Sequence, residues 1–133
     1  MSSGRYLMET TFPPPENCNS RTVIDVLANK WVIYVLAALR ERDPMRFNEL
    51  SRRLGNITQK VLTQTLRTLE RDGLVTRTVY PTTPPRVDYA LTDLGRDLSH
   101  VVLVIGEWSH DHADEILTAR HHYDNKPAPT PVT

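Results

Sequence analysis

Residues 46–92 constrain this chain most, because the hydrophobic period there changes from helical to extended and back within a short span. Helical patterning covers 48–54 and 58–72. In the second of these, Leu62, Leu66 and Leu69 fall on one side, and Lys60, Thr63, Gln64 and Arg67 recur at three- and four-residue steps on another. The two sets are offset by about two residues, roughly 200° around a helix. One face can pack while the other stays free. Thr58 is a suitable N-cap, and Gly55 and Gly73 are natural terminators. Over 74–80, Val75, Arg77 and Val79 alternate with Thr76, Thr78 and Tyr80; over 86–91, Val87, Tyr89 and Leu91 alternate with Arg86, Asp88 and Ala90. Period two with β-branched and aromatic residues predicts strands. Proline stiffens the connection Pro81-Thr82-Thr83-Pro84-Pro85, which lacks the glycine of a tight two-residue turn. Helix, helix, strand, stiff turn, strand is the order of a winged helix-turn-helix, which presents one helix to the major groove of DNA.

The flanking sequence completes the expected architecture. A helix over 20–28 has Ser20 as its N-cap and Asn29 in the left-handed turn that ends it. A second, over 30–42, places Trp31, Val32, Val35, Leu36 and Leu39 at helical spacing and breaks at Asp43-Pro44. Thr92 caps a long helix over 93–122. Its Leu94, Leu98, Val101, Val102, Ile105, Trp108 and Ile116 form a stripe longer than one small domain covers, and Gly106 permits a close crossing. With Val23, Ile24 and Leu27 of the first helix, this stripe predicts a homodimer. The fold class is thus mainly α with a small two-stranded β-wing, a winged helix-turn-helix whose N- and C-terminal helices form a dimer interface. Residues 1–17, with Pro13-Pro14-Pro15, read as a flexible arm, 18–122 as the domain with its dimerisation helices, and 123–133 as a disordered Pro-rich tail.

Charge narrows the function. The 133 residues hold 16 basic and 16 acidic side chains, so overall balance does not point to nucleic acid. Distribution does: residues 46–77 contain seven basic and three acidic residues, whereas Glu107, Asp111, Asp114 and Glu115 cluster later. A basic face on a neutral protein is the electrostatic footprint of a DNA-binding domain. A single cysteine excludes an intramolecular disulfide framework and a Cys-rich zinc site. No signal sequence or membrane-length apolar run is present, so a cytoplasmic protein with no membrane partner is expected. His110 and His112 sit near Asp111 and Asp114, with His121-His122 beyond. Helical ligand pairs want spacings of three or four, so a solvated helix end is expected and no metal or other cofactor. No Ser–His–Asp order, P-loop or dinucleotide fingerprint appears, which argues against an enzyme.

Candidate DNA contacts follow from side-chain chemistry. Gln59 and Gln64 suit adenine, Lys60 and Arg67 suit guanine or phosphate, and Thr58 and Thr63 reach phosphate. Arg46, Arg52 and Arg53 are expected at phosphates, and Arg86 in the minor groove or at a phosphate. The bland alternatives are an ordinary solvated face and a strand-edge charge. A winged helix serving as a protein-interaction module is the competing function, and it would carry apolar residues at positions 60, 64 and 67. Cys18 lies just before a helix start with Arg21 nearby, a setting that favours thiolate and marks it as the redox-sensing candidate; the alternative is an inert small apolar residue. With one thiol per chain, sensing requires an intersubunit disulfide, a mixed disulfide or an adduct.

Taken in order, Cys18, Asn29-Lys30-Trp31, Arg46-Phe47-Asn48-Glu49-Leu50, Ile57-Thr58-Gln59-Lys60-Val61-Leu62-Thr63-Gln64 and Leu69-Glu70-Arg71-Asp72-Gly73-Leu74-Val75 resemble the HxlR-type branch of winged-helix regulators, in the MarR-like superfamily. Tyr80-Pro81, Pro84-Pro85-Arg86-Val87, Tyr89, Leu91-Thr92 and Leu94-Gly95 extend the resemblance, which spans residues 17–120. It implies a bacterial or archaeal homodimeric transcription factor on double-stranded, pseudo-palindromic operator DNA, with an oxidant, electrophile or small molecule as effector. Several relatives use a cysteine at the position of Cys18. Two departures stand out: Asn29 replaces a commoner glycine, and Asn19 follows Cys18 where proline is common.

Overall fold

A computed structural model describes residues 20–129, with side chains from residue 24 onward. The proposed arm, Cys18, the side chains of Arg21 and Val23, and residues 130–133 of the tail lie outside the described residues. Eight elements follow in order: α1 (Ser20–Leu27), α2 (Lys30–Glu41), β1 (Met45–Arg46), α3 (Phe47–Leu54), α4 (Gln59–Arg71), β2 (Val75–Tyr80), β3 (Arg86–Leu91) and α5 (Asp93–Asp124).

The core forms around α2, whose Val32, Val35, Leu36, Ala38 and Leu39 are all buried. Leu50 of α3, Leu62, Leu66 and Leu69 of α4, Leu74, Val75, Tyr89, Leu91 and Val102 of α5 close around them. Fully burying one such aliphatic side chain stabilises the fold by about 1.5–3 kcal/mol, and α3 and α4 each pack against α2. No left-handed turn occurs at Asn29. Its φ is −85°, and its side-chain oxygen accepts from the Trp31 backbone N–H at 2.9 Å, so it caps the start of α2 and does not end α1 in a left-handed conformation. An N-cap satisfies an orphan amide of the following helix, a gain a left-handed asparagine at that point would forgo.

The wing is larger than two strands. Its sheet has three, in the order β1-β3-β2, all antiparallel. Met45 pairs with Tyr89 and Arg46 with Asp88, so β3 is a central strand. This overturns simple alternation along β3, where the consecutive Asp88 and Tyr89 are both buried, at 5% and 8% exposure. β2 is an edge strand with Val75 alone buried, and Val79 and Tyr80 stand out from the body.

α5 leaves the sheet through a tight junction. Thr92 accepts from the Gly95 backbone N–H at 3.0 Å and donates its hydroxyl to the Gly73 carbonyl at 2.7 Å. A Cβ on Gly95 would lie 1.9 Å from the Leu74 carbonyl oxygen, so the close approach of α5 to the start of β2 requires glycine here. Gly106, by contrast, has nothing within 4 Å of where its Cβ would stand. α5 continues to Asp124, so Tyr123 and Asp124 are helical and the Pro-rich tail begins later than 123. Its 32 residues rise about 48 Å. Past Val102 the helix runs beyond the body, and Leu103, Val104, Ile105, Trp108, Ile116 and Leu117 are exposed.

Candidate nucleic-acid interface

Opposite faces of α4 are assigned by burial. Leu62, Leu66 and Leu69 are at most 2% exposed, while Gln59, Lys60, Gln64 and Arg67 are exposed and Thr63 is half-buried. The five polar residues border one shallow depression of about 580 Å³ along the outer face. Thr58 caps the helix, its hydroxyl accepting from the Val61 N–H at 3.1 Å. The cap leaves the first turn of α4 ordered and exposed, where base-reading side chains of such helices lie. Thr65, inside the helix, is buried and returns its hydroxyl to the Val61 carbonyl at 2.8 Å, so it carries no free polar group outward.

A second basic feature lies between α3 and the wing. An open groove of about 1040 Å³ gathers Arg42, Arg46, Arg52 and Arg86 with the wing tip from Thr82 to Pro85. Its two acids are both engaged. Glu49 accepts from the Arg46 backbone N–H at 3.1 Å and lies 3.6 Å from the Arg42 guanidinium. Asp88 accepts two hydrogen bonds from Arg86, from Nε at 3.0 Å and from Nη2 at 2.8 Å. That fork holds the Asp88 carboxyl below the usual carboxylate range, against burial, which pushes it up; the positive charges of Arg86 and Arg46 add to the lowering. The same hydrogen bonds and the charge of Asp88 raise Arg86 above its ordinary value. The Arg86 guanidinium also lies over the Tyr80 ring, 4.8 Å from its centroid.

The expected contacts therefore divide into two places. Gln59, Lys60, Thr63, Gln64 and Arg67 share the α4 face, and Arg46, Arg52 and Arg86 share the groove. Arg53 joins neither; it is ion-paired with Glu41 of α2. Arg42, Asp88 and Tyr80 enter the site from tertiary structure. For Asp88 the sequence did hold a signal, since residues two apart on a strand share a face and Asp88 stands two from Arg86. Among the described residues, no group of three or more His, Cys, Asp or Glu side chains is gathered as for a metal ion, and no helix is long and apolar enough to cross a membrane.

Comparison with known proteins agrees with this geometry. The HxlR-like helix-turn-helix family matches residues 26–117, from α1 into the exposed part of α5. The HTH-type transcriptional regulator YtfH of Escherichia coli K12 is 39% identical over 105 residues, covering 79% of this chain and 82% of its own. Among solved structures, the putative transcriptional regulator ytfH from Salmonella typhimurium superposes with a TM-score of 0.73 at 37% identity, over 80% of this chain and 94% of that one. The redox regulator HypR in its reduced form superposes with a TM-score of 0.70 at 38% identity, over 76% and 99%. A match over most of the domain, at this identity and with the same wing and helix order, makes the chain a member of the HxlR-like helix-turn-helix family of DNA-binding transcriptional regulators.

Proposed function

We propose that this protein is a homodimer that reads a pseudo-palindromic operator in double-stranded DNA, and that it is cytoplasmic and not an enzyme. One observation carries the reading: the polar face of α4 stands exposed opposite a fully buried leucine face, at the place where the fold presents a helix to DNA. Gln59, Lys60, Gln64 and Arg67 are assigned to base edges or phosphates, and Thr58 and Thr63 to phosphates. Arg46 and Arg52 of the groove take the backbone, Arg53 does so only by leaving its ion pair with Glu41, and Arg86 takes the minor groove or a phosphate. An interaction module would present apolar side chains at positions 60, 64 and 67, where this chain has exposed Lys, Gln and Arg.

The effector is proposed to be an oxidant, electrophile or small molecule. HypR, similar over most of this chain, is a redox regulator. Cys18 is the single thiol of the sequence, two residues before α1 begins, and is the candidate sensor.

Selection of duplexes from random-sequence DNA by the purified protein tests the main reading. Enrichment of a two-fold symmetric sequence with half-sites one helical turn apart, about 34 Å, is expected. Recovery of no sequence above background, at low salt, overturns it. A gel-shift titration of wild type and Cys18→Ser with diamide, peroxide and a quinone tests the effector. Wild type alone is expected to respond, and equal behaviour of the two proteins removes Cys18 as the sensor.

A further inference from the structure

The wing arginine is unusually well held for an exposed cation. Asp88, 5% exposed on the central strand, gives both carboxylate oxygens to Arg86. Tyr80, the direct cross-strand partner of Arg86, lies beneath the guanidinium. Arg86 itself is 43% exposed. The fork uses two of the five N–H donors of a guanidinium, leaving three, and among the described residues Nη1 makes no hydrogen bond. A flexible side chain has thus been fixed at one end of its fork and left open at the other, on the rim of the basic groove.

We propose that Asp88 is a positioning residue for DNA binding, resting on the reading of the wing as a DNA contact: it aims the free edge of Arg86 at the duplex and holds it there before DNA arrives. An acid beside a DNA interface repels the phosphates, so an unpaired one costs affinity. Here the repulsion is offset by preorganisation. Arginine loses much side-chain freedom when it docks, and a side chain already held by a bidentate carboxylate and an aromatic face loses less at the moment of binding. Lysine cannot substitute, because a point charge neither forks a carboxylate nor stacks in the same plane.

The sign of the mutational effect separates this role from simple charge. The probe is a fluorescein-labelled duplex selected from random-sequence DNA by the wild-type protein, titrated by fluorescence anisotropy over a range of salt. Arg86→Ala is expected to weaken binding roughly tenfold, and Asp88→Asn roughly three- to tenfold although it removes a negative charge. In the Arg86→Ala background, where Asp88 has lost its partner, Asp88→Asn is expected to cost nothing and to regain a little affinity by removing an unpaired acid, because its positioning effect runs through Arg86. Tighter binding by Asp88→Asn in the wild-type background, or an equal loss in both backgrounds, overturns the proposal. Arg86→Lys keeps the charge and a partner for Asp88, so it tests the same point should Asp88→Asn loosen the wing. It is expected to bind nearly as weakly as Arg86→Ala with the salt slope of wild type. Affinity equal to wild type for Arg86→Lys sinks the positioning role while leaving DNA binding intact. Failure of wild type to retain any duplex sinks the DNA reading itself.

Discussion

At the residue scale, the two basic places are expected to do different work. If side chains on the α4 face reach base edges as proposed, Lys60→Ala or Gln64→Ala should cost about 1–3 kcal/mol on the selected duplex and relax discrimination. Arg46, which lines the groove beside the wing, is proposed to meet the DNA backbone, so Arg46→Ala should weaken selected and scrambled duplexes alike and reduce the salt slope by about one. Equal losses on both duplexes for every variant would refute the division. Asp88 adds a pH statement. Its folded pKa lies below the unfolded one, chiefly through the Arg86 hydrogen bonds, so its contribution is complete above the ordinary carboxylate range and is lost as pH falls through the lowered value. DNA affinity should therefore show no Asp88 step between about pH 5 and 8, and a carboxyl NMR titration of Asp88 should have its midpoint below the value of a free aspartate. A midpoint at or above that value would show that the fork does not persist in solution. The two faces of α4 were legible in the sequence because a period of 3.6 sorts Leu62, Leu66 and Leu69 from Lys60, Gln64 and Arg67 without any tertiary knowledge. Arg42 was not, because its place in the groove depends on where the wing tip folds back.

At the element scale, the junctions matter more than the elements. Asp43 accepts from the Leu91 backbone N–H at 3.1 Å and from Arg96 Nη2 at 2.7 Å, tying the end of α2 to the end of β3 and the first turn of α5. Arg40 of α2 donates to the buried Ser99 at 3.0 Å and also reaches His100. The body thus grips α5 at its start, and the gap-free contact at Gly95 completes the hold. Gly95→Ala drives a methyl into a backbone carbonyl that cannot swing aside. A loss of about 1–3 kcal/mol or more is expected in urea unfolding, although alanine is the better helix former. A neutral or stabilising result would mean that α5 and β2 do not approach as closely as they do here. Helix ends were readable because capping is local: Thr58, Thr92, Gly55 and Gly73 act within a few residues of where they stand. β1 was not, since two residues carry no period. Only the pairing of Met45 with Tyr89 and of Arg46 with Asp88 defines it, and those partners lie more than forty positions away. The same distance hides why Asp88 is buried.

At the scale of the whole molecule, α5 is longer than the body that holds it. Leu98 and Val102 pack into the core, but Val101, Val104, Ile105 and Trp108 are 40–62% exposed, and Ile116 and Leu117 continue the apolar surface beyond them. Ile24 on α1 is exposed as well. An apolar stripe this long calls for a partner surface, and a two-fold copy of the same helix offers the matching one. The proposed dimer would have a functional consequence. One α4 offers few side chains to base edges, and joining two of them across one DNA turn would make the second contact an intramolecular event, raising affinity without new chemistry. The double variant Ile105→Glu/Trp108→Glu places two charges one helical turn apart on the stripe and touches no core residue. It should sediment as a folded monomer, with near wild-type circular dichroism. Affinity for a duplex with two half-sites should fall by about 10²-fold or more, whereas affinity for a single half-site should change little, because the α4 face and the groove are untouched. Wild type sedimenting as a monomer at micromolar concentration would refute the dimer outright. A charged variant that stays dimeric would move the interface to another surface, and one that loses single-half-site binding equally would show that α5 supports the DNA-reading body and not merely its pairing.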